Sequence, residues 1–142
     1  MMRNISLVSD PPVRNASLHF AAGIPGFPHL RTFTLARWGS EESPFMTMTA
    51  ERDPDVGFVV VSPFLYYPDY EFDLDDATAE RLGICSPDDV HVLCIITLHD
   101  RPEEATANLL GPIVINVRNG EACQSVLPHT IYSVRAPLAR AA

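Results

Sequence analysis

Seven consecutive residues, Asp69, Tyr70, Glu71, Phe72, Asp73, Leu74 and Asp75, alternate carboxylate and apolar side chain without a break. In an extended strand successive side chains point to opposite faces, so this pattern predicts three apolar groups in a core and four carboxylates on the far side. Glu71 and Asp73 are the pair best spaced for chemistry, since two neighbouring carboxylates can divide acid and base roles or hold Mg²⁺ or Ca²⁺. Neither a histidine nor a glycine-rich loop stands beside them in the sequence, and their row is predicted to face outward. Electrostatics supplies a different reading. Neighbours on that row lie roughly 7 Å apart and repel by about 0.6 kcal/mol in water, partly screened by salt. A strand that carries such a cost is either an edge charged against aggregation or a surface that recognises a basic partner or repels nucleic acid.

Other reactive residues make a thinner case. Cys85, Cys94 and Cys123 are an odd number, and in a chain with no visible secretory signal they are expected as reduced thiols in a cytoplasm. His91 and Cys94 stand three apart in one predicted strand, so they face opposite ways and form no dyad. His91 and His99 share a face but are separated by roughly 26 Å of extended chain, too far for one metal ion. His19, His29 and His129 are isolated and read as surface or turn residues. No Gly-x-Ser-x-Gly elbow, phosphate-binding glycine loop or HExxH helix occurs.

The elements that must position these groups are short. Thirteen prolines in 142 residues disfavour long helices and favour strands joined by fixed turns. Strands are expected at residues 17–20, 31–36 with Phe33 and Leu35 inward, and 45–50 with Met46 and Met48 as core filler. Residues 56–61 are apolar on both faces, which predicts a central strand. Residues 90–99 form the longest strand, followed by 113–118 and 123–127 across an Asn119-Gly120 signal for a two-residue hairpin. Asp75 is placed to cap a helix over 76–82 that Gly83 closes, and Ser86-Pro87 reads as a second, one-turn start. The fold class expected is mostly β: a small antiparallel barrel-like domain, or a sandwich, with one or two short helices. One domain spans the chain, with residues 1–15 and 139–142 as loose ends.

Charge is segregated. Residues 69–104 hold eleven Asp and Glu against two Arg, whereas the rest holds seven acids and eight Arg. Direct binding of DNA or RNA is disfavoured, because phosphate recognition needs a basic patch. No apolar run is long enough for a membrane helix. Just before the acidic row, Phe64, Leu65, Tyr66 and Tyr67 lie between Pro63 and Pro68. Aromatic groups beside a charged rim resemble the anchors of protein interfaces, and equally suit a plug for a barrel end.

Together these blocks resemble the flagellar assembly factor FliW family. The resemblance rests on GIPGF at 23–27, VSPFLYYPDYEFDL at 61–74, SPDDVHV at 86–92 and TANLLGPIVIN at 106–116, followed by Gln124, Leu127 and Tyr132. It runs in order from about residue 17 to Leu138. Ala22, Gly111 and Ala122 depart from the residues most usual in the family.

The resemblance implies a β-barrel-like protein of the bacterial cytoplasm without enzymatic activity, cofactor or small-molecule substrate. Such a protein would bind the RNA-binding translational regulator CsrA and antagonise it, and would bind flagellin in competition. A basic RNA-binding surface approached by carboxylates accepts phosphate less readily. The expected contact residues are therefore Asp69, Glu71 and Asp73 for charge and Phe64 and Tyr66 for apolar contact. The reading from another class is a small barrel enzyme or metal-dependent binding protein using Glu71 and Asp73.

Overall fold

The computed structural model describes residues 16–128 and 131–139. Among the described residues nine strands occur: β1 (Ala16–Phe20), β2 (Thr32–Arg37), β3 (Met46–Ala50), β4 (Gly57–Val61), β5 (Val90–Thr97), β6 (Thr106–Ala107), β7 (Ile113–Asn116), β8 (Glu121–Gln124) and β9 (Ala136–Pro137). Seven of them close into a barrel in the order β4-β3-β2-β1-β8-β7-β5, with β5 pairing back to β4. Strands β6 and β9 extend the sheet outward from the far end of β5. The expected N-terminal and C-terminal loose ends lie outside the described residues except for Ala139, as does His129.

Closure needs one parallel pairing among strands that are otherwise antiparallel. Strands β1 and β8 run parallel, joined only at His19↔Glu121 and Phe20↔Ala122. Every other strand pair is antiparallel. This seam joins residues about a hundred positions apart. The side chains of its first pair also meet, with His19 Nδ1 3.1 Å from a Glu121 carboxylate oxygen.

Two cores explain the strands that read as apolar on both faces. Leu18, Phe33, Met48, Val60, Leu93, Ile113 and Ala122, one or more from every barrel strand, fill the interior. Val61, Val90, Val92, Cys94, Ile96 and Val114 face the other way, forming a second core on the outside of the β4-β5-β7 wall. A wall buried on both sides must be apolar on both sides.

The outer core is roofed by the chain between β4 and β5. Its helix α1 (Asp76–Leu82) is bounded as expected: the Asp75 carboxylate accepts from Thr78 N at 2.7 Å, and Gly83 ends the helix at φ +71°. Those bonds hold the Asp75 carboxyl below the usual carboxylate range. A carboxylate with a lowered folded-state pKa stabilises above its unfolded value and loses that contribution as pH falls through the folded value. Asp75→Ala should therefore cost about 1 kcal/mol in urea unfolding at neutral pH. The gap to wild type should narrow once pH drops below about 3.9, and a gap independent of pH would refute the charged cap.

The Asn119-Gly120 turn differs from expectation. Four residues, 117–120, connect β7 to β8 rather than two. Asn116 and Asn119 both donate through Nδ2 to the carbonyl of Leu82, at 2.8 and 3.1 Å, so they satisfy the end of α1. Gly120 takes φ +77° where a Cβ would meet the Ser17 carbonyl oxygen at 2.7 Å. The turn is shaped by what it docks against.

Candidate functional site

The segment leading to α1 carries the acidic row. Pro63 opens a single 3-10 turn, Pro63–Leu65, at the end of β4, and Tyr67 N donates to Pro63 O at 2.9 Å. A second reversal follows, Tyr70 N donating to Tyr67 O at 2.9 Å. From there residues 70–75 run extended towards α1.

This run is not the sheet strand that its alternation predicts. Only Leu74 has a bridge, and the other residues from 69 to 75 form no ladder. The alternation nevertheless survives in space: Tyr70, Phe72 and Leu74 are buried in the outer core, while Asp69, Glu71, Asp73 and Asp75 are exposed. Any extended chain has a two-residue period. Lying flat on a sheet wall therefore produces the same pattern as pairing within one.

Side chains take over the work of a ladder. Tyr70 Oη donates to the Leu109 carbonyl at 2.7 Å, and Glu71 N donates to Tyr132 Oη at 3.0 Å. The Tyr70 ring lies 4.5 Å from that of Tyr132, 5.7 Å from Phe72 and 5.9 Å from Phe64, centroid to centroid. Burial raises the Tyr70 phenol, with Cys94 and Tyr132 adding to the shift, so it remains a donor at every physiological pH. The outward carboxylates thus stand on a clamped backbone.

The five expected contact residues divide between surface and support. Asp69, Glu71 and Asp73 are exposed along one row. Phe64 is half-buried against the outer core and meets the Tyr70 ring at a tilt of 54°. Tyr66 is also half-buried, its phenol raised by desolvation, and it opens onto a groove of about 510 Å³.

That groove escaped the sequence. Trp38, Phe45, Tyr66, Leu98 and Leu138 line it, drawn from four separate stretches of chain. Rings run in series across one wall, Trp38 to Phe45 at 6.4 Å and Phe45 to Tyr66 at 6.5 Å. Trp38 is 43% exposed and Leu98 50%. The one available signal was the chain's lone tryptophan set directly before Gly-Ser-Glu-Glu. A second concavity, of about 460 Å³, lies between residues 21–28, the end of α1 and β8, with Arg81, Glu121 and Gln124 on its walls.

Of the cysteines and histidines, Cys123 lines the second concavity and His99 the groove. Cys94 is buried and its thiol pushed up to about 12 by desolvation, Cys123 is raised by burial, and Cys85 is exposed. Ellman's reagent at mild pH should accordingly titrate Cys85 quickly and Cys94 only after unfolding. Fast reaction of Cys94 in folded protein would contradict its place in the wall. His91 lies on the barrel-interior face of β5, buried, whereas His99 is exposed beside the groove. Among the described residues no three of His, Cys, Asp and Glu converge as metal ligands, and no helix is long and apolar enough to cross a membrane.

Comparison with known proteins gives this barrel its kin. The FliW protein family matches residues 11–138. The chain belongs to the FliW family. The flagellar assembly factor FliW of Bacillus subtilis (strain 168) is 42% identical over 119 residues, which cover 84% of this chain and 82% of that protein. Flagellar assembly factor FliW of Geobacillus thermodenitrificans is 41% identical over 118 residues, covering 83% and 81%. A crystal structure of the flagellar assembly factor FliW superposes with a TM-score of 0.80 at 37% identity, covering 92% of this chain and 89% of that one. The FliW resemblance of the sequence blocks is thereby confirmed, along with the mostly β, barrel fold.

Proposed function

We propose that this FliW-family chain is a cytoplasmic partner switch in flagellar assembly, which binds a CsrA-type translational regulator and flagellin in competition. While flagellin is scarce the protein holds the regulator and flagellin mRNA is translated. Accumulating flagellin takes the protein away, and the released regulator represses translation. Catalysis has no part in this scheme.

One observation carries the reading beyond family membership. Asp69, Glu71 and Asp73 project from a backbone that Tyr70, Phe72 and Leu74 pin to the barrel wall. Carboxylates on a fixed support keep their spacing when a basic surface docks, so less ordering entropy opposes binding. Once docked, they add negative potential where the regulator would accept RNA phosphate. Phe64 braces this row from behind through its tilted ring contact with Tyr70, and Tyr66 offers apolar contact at its margin.

The test is a pull-down with purified CsrA and flagellin, first separately and then with flagellin titrated into the preformed complex with CsrA. Binding of each alone, with displacement of CsrA by flagellin, is expected. Failure to bind either would overturn the assignment.

A further inference from the structure

The apolar groove lies between two acidic loops. Trp38 and Phe45 stand at the base of the β2–β3 loop, held together by Trp38 N donating to Phe45 O at 3.0 Å. Glu41 and Glu42 occupy that loop and are exposed. On the opposite side Leu98 and Ala105 bound the β5–β6 connection, whose Asp100, Glu103 and Glu104 are exposed too. These two loops thus carry five carboxylates, against two described arginines, Arg101 in the second loop and Arg37 at the end of β2. Of these, Arg101 is engaged by Glu103 at 2.9 Å and Glu104 at 3.8 Å, and Arg37 donates to the Glu41 backbone carbonyl.

A half-exposed tryptophan in series with two further aromatic rings is the composition of an interface centre rather than of ordinary surface, and charged rims around such centres select partners by sign. We propose that the groove of Trp38, Phe45, Tyr66 and Leu98 docks a segment of a partner protein in which large aliphatic side chains are flanked by Lys or Arg. The aliphatic groups enter the groove and the cations meet the two acidic loops. A cavity of about 510 Å³ holds a few side chains, not a folded domain, so the occupant is a peptide-like segment. This assignment rests on the reading of the protein as an adaptor, but not on the identity of its partners. It adds a binding surface that shares Tyr66 with the proposed regulator contact and is otherwise built from residues outside the Asp69–Asp73 row.

The single tryptophan makes the groove directly observable. A short synthetic peptide with two leucines flanked by arginines, titrated into the full chain, should shift Trp38 emission to the blue with saturation. Salt should weaken the binding, and Leu98→Arg should weaken it by about tenfold or more without moving the unfolding midpoint. A peptide with both leucines replaced by serine, or with its arginines replaced by glutamate, should give no saturable shift.

Four results would overturn the proposal: no saturable shift with the leucine-arginine peptide, an equal response to either control peptide, a blue shift produced by raising protein concentration alone, or a red shift on deleting residues 140–142. The last two would assign the groove to a second copy or to the chain's own end. Failure of the peptide test in a protein that still binds CsrA and flagellin overturns this inference and leaves the functional reading standing. Peptide binding in a protein that captures neither partner does the reverse.

Discussion

On the proposed function, exchanging Glu71 and Asp73 together for lysine should lower affinity for a CsrA-type regulator by about ten- to a hundredfold and leave the fold intact. Each exchange changes the local charge by two units. A partner arginine about 6 Å away then loses roughly 1.4 kcal/mol of interaction per site in a water-like dielectric, before screening. Two such sites give at most about 2.8 kcal/mol, or a hundredfold, and salt reduces this towards tenfold. Both side chains are exposed, so stability should move by no more than about 0.5 kcal/mol. Calorimetric titration at two salt concentrations measures the first effect, and thermal unfolding the second. A gel shift with flagellin leader RNA supplies the functional readout: the doubly substituted protein should leave CsrA on the RNA at concentrations where wild type is expected to remove it. Unchanged antagonism by a folded double variant would take the carboxylates out of the interface.

One residue further along, the outcome inverts. Leu74 is fully buried in the outer core between exposed Asp73 and Asp75. Leu74→Ala removes that packing and leaves a cavity under the extended segment, at a cost of about 2 to 5 kcal/mol. For a chain of this size the unfolding temperature should fall by roughly 10 °C. Asp73→Ser beside it should be nearly silent in stability. Urea unfolding compares the two, and an unchanged m-value would assign the loss to packing rather than to an altered denatured state. A cost under about 1 kcal/mol for Leu74→Ala would mean that the acidic row is not clamped to the wall, and the case for a preorganised surface would fall with it.

This pair of outcomes shows what alternation encodes and what it leaves open. The sequence pattern assigned inward and outward faces correctly at every position from 69 to 75, because period two belongs to extended backbone as such. It misassigned the partner. A strand finds hydrogen bonds in a neighbour, whereas this run rests on the outside of β4, β5 and β7 and is held by the Tyr70 and Tyr132 hydroxyls. Leu109 and Tyr132 lie dozens of residues away, and nothing local announces them.

Local chemistry was legible wherever local bonds decide the structure. Asp75 and Gly83 bound α1 through contacts within a few residues, as their positions foretold. Residues 56–61 declared burial on both faces of β4 through an unbroken apolar run, and two cores account for it. Asn119-Gly120 misled because the β7–β8 turn answers to the Leu82 carbonyl and to Ser17, both remote in sequence. The same limit hid the groove, whose walls come from four stretches that meet only when the barrel closes.

Although β6 and β9 were not expected and β8 lies at Glu121–Gln124 rather than at 123–127, the sequence by itself determined the family, the β class, the inward faces of β2 and β3, the capped helix and the acidic row. Each of these follows from residue type and spacing over a few positions. Tertiary structure alone decided the parallel β1–β8 seam, the laying of the acidic segment on the outer wall, and the gathering of Trp38, Phe45, Tyr66 and Leu98 around one groove. These depend on which distant surfaces bury one another, and burial is nearly indifferent to direction and order along the chain. The carboxylates were visible as a charge pattern; the fold made them a surface with a fixed spacing.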